Sequence, residues 1–156
     1  MNIVIIGPKG AGKSTIGEIL AQLLQLPIAD TDATIETLYN AENDTDFTFR
    51  QIYKEIGEDN FRELERRAVA QCAQEDWHLI ITGGGTFIDT QSRRALRANG
   101  AIILYLTSDH ENLWARATKK GTPPWLEGPD SKQLFIDQVT LRDEVMRPFA
   151  DVLIDS

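Results

Sequence analysis

The stretch GPKGAGKST, residues 7–15, decides the fold of this chain. It matches the spacing G-x-x-x-x-G-K-[ST], with Gly7, Gly12, Lys13 and Ser14 at the fixed positions. The apolar run NIVII comes directly before it, and a segment with helical periodicity comes directly after it. The stretch therefore predicts a P-loop, in which glycines let backbone N–H groups wrap around phosphate oxygens.

The P-loop predicts a nucleotide site. The helix that follows points its free N–H groups and the positive end of its dipole at the same phosphate. Lys13 can reach the β- and γ-phosphate oxygens, and the Ser14 hydroxyl can ligate Mg²⁺. The alternative, a plain glycine turn, does not explain why the spacing and both flanking elements agree. The predicted nucleotide-binding residues of the loop are Gly10, Ala11, Gly12, Lys13, Ser14 and Thr15.

Apolar, β-rich runs alternate with helical patterns along the rest of the chain. This alternation is typical of an α/β fold with a parallel sheet and helices on both faces. The predicted strands are NIVIIG, LPIAD, HLIITG, AIILYL and DVLID. Helices are expected after the P-loop and near residues 47–56, 60–75, 89–98, 109–119 and 131–148.

Length and charge limit the class of protein. The 156 residues suffice for one well-buried core, so we predict a single domain over residues 1–156. A formal net charge of −8 argues against binding nucleic acid or a membrane surface, because both rely on clustered Lys and Arg. The chain enters a strand directly and has no apolar run of membrane-spanning length. We expect a cytoplasmic monomer.

The segment ADTD places Asp30 and Asp32 at the end of the second predicted strand. Ligands bind at this edge of open α/β sheets, and alternate strand residues point to one face, so both carboxylates can converge on one site. One can act through Mg²⁺ or its waters, and the other can accept a hydrogen bond from a substrate hydroxyl. The structural alternative is a helix cap beside a turn residue.

Three glycines in ITGGGTF, Gly83 to Gly85, follow the third predicted strand. Their cost in backbone entropy indicates either a tight turn or a ligand that approaches the backbone closely. Arg62 and Arg142 lie within predicted helices. Each arginine alone is more typical of a solvated helix residue than of a ligand contact.

Cysteine and histidine carry no predicted chemistry. Cys72 shares an apolar helical stripe with Phe61, Leu64 and Ala68, so we predict a small buried core residue. One cysteine cannot form an internal disulfide. The two histidines are isolated from each other and from any serine motif, and neither is assigned a catalytic role: His78 and His110.

Two further segments lie between predicted helices. The polar stretch NAENDTD, Asn40 to Asp46, predicts a surface loop or insertion. The segment KKGTPPWLEGPD, residues 119–130, contains glycines and prolines that favour a loop. It predicts either a mobile lid, which keeps water from a transferred phosphoryl group, or an ordinary surface connection.

Taken together, these motifs resemble the shikimate kinase family over nearly the whole chain. The resemblance rests on GPKGAGKST, ADTDATIE, FRQIYKEIGEDNFRELE, ITGGG and LRDEVMRPFADVLID. It implies a three-layer P-loop kinase fold, with a five-stranded parallel sheet flanked by helices and a mobile lid. It also implies transfer of the ATP γ-phosphoryl group to the 3-hydroxyl of shikimate.

The resemblance also implies roles for single residues. Lys13 and Asp32 would be catalytic, with Asp32 as the base, and Ser14 and Asp30 would lie at Mg²⁺. ATP or ADP and a small anionic hydroxylated substrate are the implied partners. The implied substrate-binding residues are Asp32, Arg62, Gly83, Gly84, Gly85 and Arg142.

The chain departs from the family pattern in the lid and after the last strand. The family's lid usually carries an arginine where TPPWL here has Pro123. Members usually continue past the position of Ser156 through a segment that borders adenine. Arg116 matches a family position at the adenine face. The nearest candidates to replace the lid cation are Lys119, Lys120 and Arg116, and Lys120 is assigned to the nucleotide site.

The resemblance and these departures leave three hypotheses for the function. The chain is a shikimate kinase with a modified lid, a related P-loop kinase for another small hydroxylated acid or sugar, or a catalytically weak relative that binds ligand for regulation or assembly. Turnover of shikimate distinguishes the first hypothesis from the others.

Overall fold

The computed structural model describes residues 1–123 and 126–156. The strands of these residues are β1 (Ile3–Ile6), β2 (Ile28–Asp30), β3 (Leu79–Ile81), β4 (Ile102–Thr107) and β5 (Val152–Asp155). They form one parallel sheet in the order β2-β3-β1-β4-β5. The predicted fold class, an α/β fold with a five-stranded parallel sheet, is confirmed.

The P-loop strand β1 occupies the centre of the sheet. It pairs with β3 on one side and β4 on the other, so that Val4 lies opposite both Ile80 and Ile103. Val4, Ile5 and Ile6 are fully buried. A strand that is covered on both faces has a continuous apolar run, which explains why NIVII does not alternate.

The described residues form seven α-helices, of which all but the second are expected from the sequence. They are α1 (Lys13–Leu24), α2 (Thr31–Asn43), α3 (Phe49–Ile56), α4 (Glu58–Gln74), α5 (Thr90–Arg97), α6 (His110–Ala117) and α7 (Ser131–Met146). No helix among these residues is long and apolar enough to cross a membrane.

Helices cover both faces of the sheet and complete the three layers. On one face, Ile5 and Leu79 pack in a cluster that includes side chains of α1, α6 and α7. On the other face, Val4 and Ile80 pack in a second cluster with side chains of α4 and α5. Successive residues of β1 thus serve opposite faces, as the strand period requires.

Helix α2 corrects the sequence analysis. The predicted surface loop, Asn40 to Asp46, is wrong at its start, because α2 continues to Asn43. Thr31 and Ile35 are the fully buried residues of this helix, so its sequence has little apolar periodicity to reveal it. The helix is instead set by its start, where Asp30 caps it.

A third apolar cluster joins α2, α3 and α4 beside the main sheet. Its fully or nearly fully buried members are Ile35, Ile52, Phe61, Leu64 and Ala68. Helix α3 is held at its start by a capping box, in which Thr48 and Gln51 exchange side-chain and backbone hydrogen bonds. This cluster forms one wall of the cleft described below.

Cys72 is a core residue, as the sequence predicts. Its side chain is buried, and its Sγ lies 3.4 Å from Oγ1 of Thr34. Burial raises the pKa of the thiol, which keeps it protonated and poorly nucleophilic at neutral pH.

Asp89 links α4 to α5, and its removal is expected to destabilise the fold. Its Oδ1 accepts hydrogen bonds from Nε and Nη2 of Arg66, at 3.1 and 2.8 Å, and its Oδ2 accepts the backbone N–H of Ser92. Asp89→Ala removes a helix cap and a charge-assisted pair together. We expect a loss of about 2 kcal/mol in the free energy of unfolding, measured by urea denaturation.

Asp109→Ala is the matched control, because Asp109 caps α6 through Asn112 and no arginine of the described residues forms an ion pair with it. A loss of about 1 kcal/mol is expected there. Hydrogen bonds from Arg66 hold the pKa of Asp89 at about 2, below its ordinary 3.8. The Asp89 contribution is therefore present above pH 3.8 and lost as the pH falls through about 2. Equal losses for the two variants would contradict the role of Arg66.

Candidate active site

The P-loop backbone has the shape that its motif predicts. Gly7 and Gly10 have φ values of 149° and 87°. A Cβ at Gly7 would overlap the carbonyl oxygen of Leu106, and one at Gly10 would lie 2.5 Å from that of Leu113. Glycine is needed at both positions, because the loop passes directly against the end of β4 and against α6.

Lys13 stands at the first position of α1, under the loop. Its ammonium donates hydrogen bonds to the backbone carbonyls of Gly7, at 2.9 Å, and Pro8, at 3.0 Å. Burial lowers the pKa of this ammonium to about 8, and the nearby Asp32 and Asp30 carboxylates oppose that shift. The loop thus holds a desolvated cation at the position where the motif predicts phosphate contact.

Asp30 and Asp32 both line the cleft, but not by the geometry that the sequence suggested. Asp30 ends β2 and caps α2, because its Oδ1 accepts the backbone N–H groups of Asp32, at 2.8 Å, and Ala33, at 3.2 Å. Asp32 lies in the first turn of α2 and not in the strand. The prediction of two alternate strand residues is therefore wrong, and the turn of the helix brings the carboxylates together instead.

Asp32 lies against the glycine run. A Cβ at Gly83 would stand 2.9 Å from Oδ1 of Asp32, so a side chain there would displace the carboxylate. Burial raises the pKa of Asp32 to about 7, and the charge of Asp30 adds to this effect. A carboxyl group with a pKa near neutrality is suited to accept a proton during a reaction at pH 7.

Arg142 enters the same site from α7. A Cβ at Gly85 would stand 2.9 Å from its Nη2, and one at Gly84 would stand 3.8 Å from its Nη1. The glycine run therefore makes room for protein side chains as well as for a ligand. Burial lowers the pKa of Arg142 to about 10, and the charge of Arg62 adds to the shift, yet the guanidinium stays charged at neutral pH.

Arg62 is the fifth residue of α4, and Glu65 holds it in place. Its Nη1 donates to Oε1 of Glu65 at 2.9 Å, and the other oxygen of Glu65 accepts the Thr86 hydroxyl at 2.8 Å. Glu65 is nearly fully buried, and it does not figure in the sequence analysis. The sequence does contain a signal for Glu65, because this charged residue follows Leu64 on the buried stripe of α4. A buried charge needs a partner in the core.

Aromatic residues on α3 and α4 also belong to the cleft. Phe49, Tyr53 and Phe61 line it, and Tyr53 packs edge-on to Phe61 at 5.3 Å between ring centroids. The sequence analysis assigned none of them to the site. Helix α3 presents Phe49 and Tyr53 because it is strongly amphipathic, a pattern that by itself indicates only core packing.

Arg116 and Lys120 also line the cleft. Arg116 donates to the hydroxyl of Ser156 at 3.2 Å, and that hydroxyl donates to the carbonyl of Ala11 at 2.9 Å. Ala11 is fully buried and contributes no surface to the cleft. A nucleotide contact of Ala11 would therefore have to use its backbone.

The lid segment is described except for Pro124 and Trp125, which lie outside the described residues. Helix α6 ends at Ala117, two residues before the predicted 119. Leu126 is buried, lines the cleft and donates its N–H to the carbonyl of Pro123 at 2.9 Å. Two described residues of the segment, Lys120 and Leu126, thus line the cleft, and the mobility of the segment stays a prediction.

These side chains surround one cleft of about 770 Å³ at the carboxyl edge of the sheet. Neither His78 nor His110 is among the described residues that line it. The predicted site residues that line it are Gly10, Gly12, Lys13, Ser14, Thr15, Asp30, Asp32, Arg62, Gly83, Gly84, Gly85, Arg116, Lys120 and Arg142.

The fold and the cleft define the class of protein. A P-loop leaves the central strand of a parallel sheet, and carboxylates, arginines and glycines face it across a cleft of small-molecule size. The chain is a P-loop kinase of a small molecule.

Comparisons with known proteins identify the family. The shikimate kinase family model matches residues 9–156. The shikimate kinase of Pseudomonas syringae pv. tomato is 36% identical over 99% of this chain and 86% of its own length. That of Pseudomonas paraeruginosa is 35% identical over 100% of this chain and 87% of its own length. The chain belongs to the shikimate kinase family, whose members are ATP-dependent kinases.

A solved structure agrees with this assignment. The shikimate kinase of Acinetobacter baumannii, solved in complex with shikimate, superimposes with a TM-score of 0.88 at 29% identity. The match covers 99% of this chain and 83% of that one. The expected resemblance and the expected class of enzyme are thus confirmed.

Proposed function

We propose that this chain transfers the γ-phosphoryl group of ATP to the 3-hydroxyl of shikimate. One observation carries the proposal: Asp32, Arg62 and Arg142 face the P-loop across a single cleft, around a run of glycines. A small cyclic polyol acid needs a planar cation for its carboxylate and short polar groups for its hydroxyls. The cleft offers both, and a relative of known structure was solved in complex with shikimate.

The P-loop would hold the β- and γ-phosphates through its backbone N–H groups and Lys13. The phosphates would displace the Lys13 ammonium from the carbonyls of Gly7 and Pro8, which it contacts at 2.9 and 3.0 Å. Arg116 and Lys120 would contact the nucleotide at the outer end of the cleft.

Ser14 and Asp30 fit a Mg²⁺ ion held with the nucleotide. Among the described residues, no three histidine, cysteine, aspartate or glutamate side chains are grouped to hold a metal by themselves. Mg²⁺ usually binds through one or two carboxylates, waters and substrate phosphates, so a lone hydroxyl and a carboxylate suffice. Bound Mg²⁺ would neutralise charge on the β- and γ-phosphates. Asp30 keeps its Oδ1 for the helix cap and has its second oxygen to offer to a metal-bound water.

The substrate carboxylate would bind between the guanidinium groups of Arg62 and Arg142, and its hydroxyls would bind Asp32 and the glycine backbone. Asp32 would accept the proton of the 3-hydroxyl as that oxygen bonds to the γ-phosphorus. The bond from the γ-phosphorus to the bridging oxygen would break, and ADP would leave with that electron pair.

The direct test is ADP formation in a coupled assay with Mg·ATP and shikimate, and then with other small hydroxylated acids and sugars. We expect turnover with shikimate and its loss when Mg²⁺ is chelated. Turnover of another compound but not shikimate would favour a related kinase, and ATP binding without any turnover would favour a regulatory protein. A single domain, a monomeric state and a cytoplasmic location stay predictions from the sequence.

Arg142→Ala is expected to weaken shikimate binding and to leave ATP binding nearly unchanged. The substitution removes a charge-assisted contact worth about 2–4 kcal/mol, which corresponds to roughly a 30- to 1,000-fold rise in KM for shikimate. Arg62→Ala should act in the same direction. The measurement is KM for each substrate.

Lys132→Ala is the control for Arg142→Ala. Lys132 lies on the same helix, where it pairs with Glu111 at the surface, outside the cleft. It should change neither KM. Equal losses of affinity for shikimate and ATP in Arg142→Ala would indicate a folding defect instead of a lost contact.

Lys120→Ala is expected to lower kcat at least tenfold, because Pro123 cannot supply cationic charge to the transferred phosphoryl group. Pro123→Arg should raise turnover, since arginine adds a rigid fork of donors. Lys119 is the control, because it neighbours Lys120 but does not line the cleft. If kcat is unchanged in both Lys120→Ala and Pro123→Arg, Lys120 is only a solvated residue after α6.

A further inference from the structure

Lys9 occupies a position of the P-loop that the motif leaves open. In G-x-x-x-x-G-K-[ST] only Lys13 is a required cation, so a second lysine is a property of this chain. Lys9 lines the cleft with Lys13. A Cβ at Gly84 would stand 3.2 Å from the backbone nitrogen of Lys9 and 3.8 Å from its Cβ. The nucleotide half and the substrate half of the cleft therefore meet at Lys9.

Positive charge converges on this junction. The Lys9 ammonium lies close enough to Lys13 to lower the pKa of that group further. Burial lowers the pKa of Lys9 itself to about 8, and the charge of Arg50 on α3 contributes to this shift. Assembling like charges in a partly desolvated place costs free energy, and a bound anion offsets that cost. The anion that enters this cleft under the proposed function is the phosphate chain of ATP.

We propose that Lys9 is a further catalytic residue, whose ammonium contacts the γ-phosphoryl group as it passes from the P-loop to the acceptor at the glycine run. The position of Lys9, within the P-loop and beside Gly84 of the glycine run, carries the inference. The part of the proposal that concerns the acceptor rests on the proposed function. The part that concerns the γ-phosphoryl group rests on the P-loop alone, since ATP and ADP differ by that group.

The test compares Lys9→Met, Lys9→Arg and Lys54→Met with the wild type. Methionine keeps an unbranched side chain of similar length without the charge, and Lys54 is an exposed lysine on α3, outside the cleft. Calorimetric titration with Mg·ATP and Mg·ADP gives two dissociation constants for each protein, and the coupled assay gives kcat and KM. Urea denaturation checks that each variant is folded.

We expect Lys9→Met to weaken Mg·ATP binding about tenfold and to leave Mg·ADP binding within about twofold. The kcat of Lys9→Met should fall at least tenfold, while its KM for shikimate is unchanged. Lys9→Arg should recover most of the lost ATP affinity and most of the lost kcat. Lys54→Met should match the wild type. Equal effects on ATP and ADP, or a kcat within twofold of the wild type, would overturn the proposal. A further outcome is that the wild type fails on shikimate while Lys9→Met still loses the preference for ATP over ADP. That pair of results would refute the proposed substrate and support the contact between Lys9 and the γ-phosphoryl group.

Discussion

Lys13→Ala is expected to abolish phosphoryl transfer, with a fall in kcat of about a thousandfold or more, or about 4 kcal/mol in the barrier. The ammonium is a partly buried cation of the P-loop, and it lies within hydrogen-bond distance of the Gly7 and Pro8 carbonyls. Under the proposed function its charge would stabilise the β- and γ-phosphate oxygens, and its side chain is not part of the three apolar clusters of the described residues. The measurement is kcat in the coupled assay at saturating substrates.

Two variants show whether this loss concerns charge or packing. Lys13→Met keeps the aliphatic part of the side chain and should be as inactive as Lys13→Ala. Lys54→Ala removes an exposed lysine and should be fully active. Urea denaturation midpoints of all three should lie close to that of the wild type. Near-native turnover by Lys13→Ala would contradict the role of Lys13 in phosphate binding, and with it the role of the loop as the nucleotide site.

Asp32→Asn is expected to lower kcat by about 10²- to 10⁴-fold and to change KM for shikimate little. Asparagine keeps the shape of the side chain and one acceptor oxygen, but it cannot take the proton of the substrate hydroxyl. Asp32 is the carboxyl group that burial and Asp30 bring to a pKa of about 7, beside Gly83 in the cleft. Steady-state kinetics with varied shikimate separate the two parameters.

Asp59→Asn controls for the helix position of Asp32. Both aspartates lie in the first turn of a helix, Asp32 in α2 and Asp59 in α4, but Asp59 does not line the cleft. Both substitutions remove a favourable interaction with a helix dipole, and only Asp32→Asn removes the proposed base. An Asp32→Asn variant with normal kcat would leave Asp32 a positioning role only.

Much of the sheet could be predicted because strands buried on both faces have an unbroken apolar sequence. β1, β3 and β4 are such strands, and all three agree with their predicted runs. α2 could not be predicted in this way, because Ile35 is its main buried apolar residue and the rest of the helix is half-exposed. Its existence depends on a cap and on packing against α4, and neither leaves a periodic pattern.

The candidate site, like the fold, was predictable from the sequence only in part. The P-loop was predictable residue by residue, since its function depends on contiguous positions and on backbone shape. The convergence of the Asp30 and Asp32 carboxylates was predicted for the wrong reason, because a turn of α2 and not a strand period brings them together. Glu65 was not predicted at all. A buried carboxylate is recognised as functional only when its partners, Arg62 and Thr86, are known.

The sequence by itself determined the P-loop, its cations and the parallel α/β class, because each depends on residues that are neighbours along the chain. Tertiary structure alone decided that Arg62 and Arg142, from two different helices, would meet the glycine run in one cleft. It also decided that Lys9 would lie beside Gly84 of that run, where an added Cβ would stand 3.2 Å from its backbone nitrogen. The physical reason is that local backbone preferences act over a few residues, whereas a site for a small substrate is assembled by the packing of distant helices on one edge of the sheet.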